Sequence, residues 1–256
     1  MQSAALHVLL PACLCAAVAN SALFDEVSVD LTYEHYAEAR DERLPAFLAM
    51  PFNCLVNLGY VVLGVAWLLK DRDRRGTAAG YSKDVFASMA VAYGPVQWLR
   101  LASLRRAPGV LDQWFTLPIF AWVPAWCRVV ERGWRTRYAL LVEGASLLSY
   151  ALALLHRRGF EAALAGHVAF AVAEGFALQR RRGDGRSLRY LLLAVLCCGG
   201  FVLLKVLDHA LARHWAFQHL TGHFWSKVCD ILQFHYSLSF LSYLHQKKTE
   251  DEGKDS

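Results

Sequence analysis

Eight apolar runs divide the chain, near residues 6–24, 47–69, 85–104, 110–130, 138–155, 162–179, 190–208 and 222–245. Several hold eighteen to twenty residues, enough for one bilayer crossing at ~1.5 Å per helical residue. With 56% hydrophobic residues, the chain is too apolar and too regularly segmented for an ordinary soluble domain. The expected fold is all-α: a polytopic transmembrane helix bundle.

The segment boundaries follow from the composition. Residues 1–24 read as an N-terminal transmembrane helix or a signal peptide. The apolar core is short and Ala17-Val18-Ala19 has the small-x-small form of a cleavage site, yet no Lys or Arg precedes it. Residues 25–46 form an acidic loop, and 47–245 carry seven transmembrane helices. The tail at 246–256 is polar and expected to be disordered. All seven cysteines, Cys13, Cys15, Cys54, Cys127, Cys197, Cys198 and Cys229, fall in apolar runs. That excludes a disulfide framework, and no Cys/His spacing suggests a structural zinc.

Lys and Arg set the expected sidedness. Connections near 70–83, 128–137 and 180–189, with the tail, hold 17 of them, against 8 near 25–46, 100–109, 156–161 and 209–221. The positive-inside bias therefore puts the C-terminus in the cytosol and the 25–46 loop outside or in a lumen. The net charge of +5 resides in these short clusters, which is not a nucleic-acid signature.

The last run departs from plain lipid-facing composition. At ~100° per residue, His219, His223, Ser226, Lys227, Asp230 and Gln233 share about a third of the helical circumference, with Trp225, Cys229 and Leu232 opposite. Ionisable groups at bilayer depth cost several kcal/mol unless paired or hydrated, so this stripe must face the bundle interior. With the topology above, Asn53 and Asn57, Asp112, Asp208 and His223 come from four separate runs to one depth near the loop end. A polar network of Asn53, Asn57, Asp112, Asp208, His223, Lys227 and Asp230 is the predicted site. Lys227 is expected to pair with Asp230 or Asp112, and Asp208 with Lys205 at i−3. Glu143, His167 and Glu174 are further ionisable groups in apolar runs. His167 reads best as a satisfied core histidine, and Trp67, Trp98, Trp134 and Trp215 as interfacial anchors.

Segments LPAFLAMPFN, YGPVQWLRL, LDQWFTLPIFAW and LTGHFWSKVCD resemble the vertebrate transmembrane protein 187 family. More distantly, residues from Pro51 onward resemble the alkaline-ceramidase, adiponectin-receptor and Per1-like superfamily. That resemblance implies a seven-helix core, here with an additional N-terminal helix, and in typical members a zinc-dependent lipid amidase or hydrolase. LAMPFNCLVN resembles its first motif, keeping Ala49, Asn53 and Asn57 but placing Met50 at an acidic position. The Leu111-Asp112 pair is kept, while Leu101 stands at a zinc-histidine position. GHFWSK keeps His223 and Trp225, with Lys227 at a second histidine position. Two of three implied histidine ligands are thus lost. The expectation is a non-catalytic protein of this scaffold without a cofactor, binding a lipid or a membrane-protein partner. The alternative is a hydrolase with a rearranged metal site, its ligands drawn from His223, Asp112 and Asp208.

Overall fold

The computed structural model describes residues 3–70 and 76–252. The basic cluster expected near 70–83 lies partly outside the described residues, at 71–75. Helix α1 spans Ala4–Ala19; α2, Pro51–Leu55; α3, Leu58–Leu69; α4, Ala78–Ser103; α5, Arg106–Arg132; and α6, Thr136–Ser149. A short α7, Leu152–Leu155, extends α6, and then come α8, Gly159–Arg182; α9, Gly185–Val206; α10, Asp208–Leu211; and α11, Gly222–Glu252. Every apolar run is helical, and the described residues contain no strand.

Four helical segments are long and apolar enough to cross a membrane: Pro51–Leu69, Thr136–Leu155, Gly159–Arg182 and Gly185–Val206. The first joins α2 to α3 and the second joins α6 to α7, and all four bury only a minority of their residues. Leu141, Leu148, Leu155, Leu196 and Val206 stand well exposed along them. Helices α4, α5 and α11 are just as long but less apolar, and they carry most of the buried side chains. The arrangement is the one a bilayer demands: apolar helices outside, helices with ionisable stripes inside.

Helix ends follow local chemistry. Thr77 caps α4 by accepting a hydrogen bond from Gly80 N–H at 3.1 Å, so the helix starts ahead of the expected run. Lys83 is consequently helical and buried. Its ammonium donates to the Trp67 and Lys70 carbonyls at the C-terminal end of α3, where the helix dipole favours a cation. Between α4 and α5 the chain reverses at Leu104, held in the left-handed region at φ 46°. Asp184 and Ser187 form a reciprocal capping box at the start of α9.

The polar tail differs from expectation, because α11 continues to Glu252. Asp184 accepts hydrogen bonds from Tyr243 Oη at 2.7 Å and Lys247 Nζ at 3.0 Å, which ties the end of α11 to the start of α9. Residues 253–256 lie outside the described residues. Trp67 is another correction: it is buried, with its indole N–H directed to His235 Nδ1 at 3.4 Å, whereas Trp215 is 78% exposed.

Helix α1 is fastened into the bundle by a group that periodicity does not reveal. The His7 imidazole bonds to the Tyr81 hydroxyl at 2.6 Å through Nδ1 and to the Glu143 carboxylate through Nε2. Glu143 therefore faces the interior. His167 is satisfied as expected, by the Ala163 carbonyl and the Ser146 hydroxyl.

Candidate intramembrane polar site

The predicted polar residues gather at the end of the bundle beneath the 25–46 loop, and all seven are at least 95% buried. Pro51 opens α2 at a position where its missing N–H is no loss. Met50, the preceding residue, has no side chain able to cap. Glu38 does this from the loop instead, accepting from Phe52 N–H at 2.9 Å and Asn53 N–H at 2.8 Å. Asn57 sits where α2 gives way to α3, donating its amide to the Asn53 and Cys54 carbonyls. Both side-chain polar atoms of Asn53, and Oδ1 of Asn57, are buried without a protein hydrogen-bond partner.

Asp112, on the second turn of α5, is held by Arg100 from the last turn of α4. Charge patterning puts Arg100 among the connection residues and so misses its role, yet it is helical and only 8% exposed. Asp112 Oδ1 and Arg100 Nε remain without protein partners. Lys227 corrects the expected pairing with Asp112 or Asp230. Its ammonium donates to Gln97 Oε1, one turn before Arg100, and lies 5.9 Å from the centre of the Tyr93 ring. Asp230 instead accepts from Tyr60 Oη at 2.6 Å. Tyr60 and Tyr93 meet edge to face at 5.2 Å, and Tyr93 bonds to Thr116 at 3.0 Å. Thr116 in turn donates to the Asp112 backbone carbonyl, so Asp230, Tyr60, Tyr93, Lys227 and the start of α5 are joined through consecutive contacts.

Asp208 corrects the Lys205 pairing. Its two carboxylate oxygens accept backbone N–H groups, His223 at 2.7 Å and Ala37 at 2.9 Å. Backbone donors from two otherwise separate segments hold Asp208 in place of the flexible lysine at the end of α9. His219 falls before α11 begins and is exposed, so it does not join the stripe. His223, Ser226, Lys227, Asp230 and Gln233 are buried, with Trp225 and Leu232 exposed opposite them, as the helical period requires.

The loop closes over this network. The Tyr36 ring stands edge to face on His223 at 4.7 Å and packs with Met50, Cys54 and Leu101 in an apolar cluster. Burial pushes the Tyr36 phenol up to about 12. Desolvation also raises the Glu38 carboxyl above its ordinary range, outweighing its two backbone hydrogen bonds. The same effect lowers His35.

A zinc site does not fit these side chains. Among the described residues no three His, Cys, Asp or Glu side chains stand together as a metal would need. Of the three candidate ligands, Asp112 is engaged by a guanidinium and each oxygen of Asp208 accepts a backbone N–H. Tyr36, which stands edge to face on His223, packs with Met50 and Leu101, where a thioether and a hydrocarbon offer no ligand suited to a hard or borderline cation.

A family model described as the TMEM187 protein family matches residues 4–242. The chain belongs to this family. It is 55% identical to transmembrane protein 187 of Bos taurus over 244 residues, 93% of this chain and 95% of the relative. The transmembrane protein 187 of Homo sapiens is also 55% identical, over 93% of this chain and 91% of its own length. With its apolar helices, this makes the chain an integral, multi-pass membrane protein. No solved structure matches it.

Proposed function

We propose that the protein is a non-catalytic, ceramidase-like membrane protein that holds the polar headgroup of a lipid within the Asn53–Asp112–Lys227 network. The observation that carries this reading is a set of buried polar atoms lacking protein partners: the Asn53 amide, Asn57 Oδ1, Asp112 Oδ1, Arg100 Nε and Thr221 Oγ1. Each such atom costs about 1–3 kcal/mol if it stays unpaired. Donors and acceptors are both represented, which suits a headgroup that also offers both. Lys227 contributes a positive charge where the resembling hydrolases have a ligand, so the site binds without activating water.

The orientation belongs to the same proposal: a cytosolic C-terminus, with the 25–46 loop and the polar network toward the outside or lumen. Protease protection of tags at residues 35 and 256 tests it, and a C-terminal tag exposed outside sealed cells would overturn it. For the binding reading, native mass spectrometry of the detergent-purified protein should show a retained lipid, lost when Asn53→Leu is combined with Lys227→Met. An identical lipid profile in the folded variant refutes the site, and a co-purifying membrane protein in place of a lipid would favour a protein partner. About one zinc per chain with amide hydrolysis would refute the non-catalytic part.

A further inference from the structure

The hairpin between α8 and α9 lies at the end of the bundle away from the polar network, since α9 starts there and finishes beside Asp208. Residues 180–189 hold five arginines, Arg180, Arg181, Arg182, Arg186 and Arg189, against one carboxylate, Asp184. Arg181 pairs with Glu131. Asp184 is committed to the α9 backbone N–H groups, Tyr243 and Lys247. The other four guanidinium groups are exposed, and among the described residues none has a carboxylate within ion-pair distance.

Two of these four frame an open groove along α9, lined by Gly185, Arg186, Arg189, Tyr190 and Leu193. Arg186 is held there without being neutralised. Its Nε donates to Tyr190 Oη at 3.3 Å, and its guanidinium lies 5.2 Å from the centre of the Tyr243 ring. These contacts fix the planar group and leave its terminal N–H fork without a protein acceptor among the described residues. Arg189 follows one turn later on the same face. Beyond it, Leu192 and Leu196 stand exposed, so over ~10 Å the face changes from guanidinium to hydrocarbon. Helix α9 is itself long and apolar enough to span a membrane. The arginines therefore sit at headgroup level and the leucines at the level of acyl chains.

This order of groups restricts the occupant. A guanidinium fork matches phosphate oxygens two at a time. A phosphodiester offers one charge, whereas a terminal phosphate offers three acceptor oxygens and a charge of about −1.5 to −2. Two forks one turn apart, with Arg180 and Arg182 near them on α8, match the terminal phosphate. A ligand that also carries a hydrocarbon chain matches the face along its whole length.

We propose that the groove at the start of α9 binds a phospholipid whose headgroup ends in a phosphomonoester, with the phosphate between Arg186 and Arg189 and an acyl chain along Leu192 and Leu196. The assignment rests neither on the reading of the polar network nor on the orientation of the chain in the membrane.

The test uses full-length protein in phosphatidylcholine nanodiscs doped with dioleoyl phosphatidic acid or, at equal content, dioleoyl phosphatidylglycerol, a phosphodiester with the same chains. Native mass spectrometry across a range of contents gives the apparent affinity for each. The wild-type protein should prefer phosphatidic acid by about fivefold or more. A cation near a membrane surface contributes about fivefold to the binding of anionic lipid, so Arg186→Gln with Arg189→Gln should weaken phosphatidic acid binding by about 25-fold. Arg186→Lys keeps the charge but loses the fork, and should lose most of the preference. Arg135→Gln with Arg137→Gln removes the same charge from exposed positions at the same end of the bundle, and should leave the preference intact. Equal affinity of the wild-type protein for the two lipids overturns the proposal. So does an equal loss in the Arg135 and Arg137 variant, which would mean general attraction to a basic surface. Displacement of phosphatidic acid by an equal concentration of sn-glycerol 3-phosphate overturns it too, in favour of a soluble phosphate. Because the wild-type comparison decides alone, a variant that fails to fold leaves the proposal falsifiable.

Discussion

Removing Arg100 tests whether the network is held by charge. In Arg100→Leu the Asp112 carboxylate keeps its burial, 5% exposed, and loses its guanidinium. Its Oδ1 already lacks a protein partner, so neither oxygen retains side-chain compensation. Breaking a buried pair in this way costs about 3–5 kcal/mol. At ~2–4 °C per kcal/mol for a chain of this size, the melting temperature should fall by about 6–20 °C. Asp112→Leu should cost less, because Arg100 sits in the last turn of α4 and can extend its guanidinium toward water. Arg100→Leu with Asp112→Leu removes both charges and should recover most of the loss. Thermal unfolding in detergent, followed by tryptophan fluorescence, measures all three variants. A shift under about 3 °C for Arg100→Leu, or a double variant that loses the sum of the singles, refutes an uncompensated buried charge as the cause.

Three further outcomes are expected. Glu38→Ala strips two backbone N–H groups of their acceptor and should destabilise by about 1–3 kcal/mol, whereas Glu38→Gln keeps an acceptor oxygen and removes a desolvated charge; thermal melts in which both variants lose equally contradict the capping role. His7→Phe leaves the Tyr81 hydroxyl and the Glu143 carboxylate without this partner. It should loosen α1 by about 1–3 kcal/mol, seen as faster hydrogen exchange confined to residues 4–19, and unchanged exchange there speaks against the tether. Asp184 is held well below the ordinary carboxylate range by the Ser187 backbone N–H, then by Tyr243 and Lys247. A depressed carboxyl contributes stability fully present above its unfolded value of about 3.9 and lost as pH falls through the folded one. Protection of the Ser187 amide should thus hold from pH 7 to about pH 4 and fall only below that, while loss already at pH 5 contradicts the cap.

The helical period makes one face of α11 legible in the sequence, because an ionisable stripe cannot face lipid. Ser226, Lys227, Asp230 and Gln233 are buried on it, and Trp225 and Leu232 lie outside. What the stripe meets is not legible there. Lys227 reaches Gln97 across 130 residues, and Asp230 reaches Tyr60 across 170; no local spacing encodes either distance. Arg100 and Lys83 escape the pattern for a related reason. A charge near the end of an apolar run looks like a connection, but the cap at Thr77 and the reversal at Leu104 extend α4 past both. Glu38 is hidden because a side chain fifteen residues away does the work of a local cap.

The loop that covers the network also sets how a ligand could come and go. The hydrogen bonds that tie it down include four strong ones: Ala37 N–H to Asp208, Phe52 and Asn53 N–H to Glu38, and the Arg106 guanidinium to the Val27 carbonyl at 2.6 Å. At a net ~1 kcal/mol each, opening costs about 4 kcal/mol, before any charge for exposing Tyr36. Burial of an aromatic side chain adds ~1.5–3 kcal/mol. The open form is then populated at about one part in a thousand or less. Exchange through this route is slow relative to loop motion, since apparent on- and off-rates both scale with the open fraction. Under the proposed headgroup binding, a lipid beneath the loop should stay through purification, and weakening the loop at Glu38 should shorten its residence without altering the groups proposed to bind it.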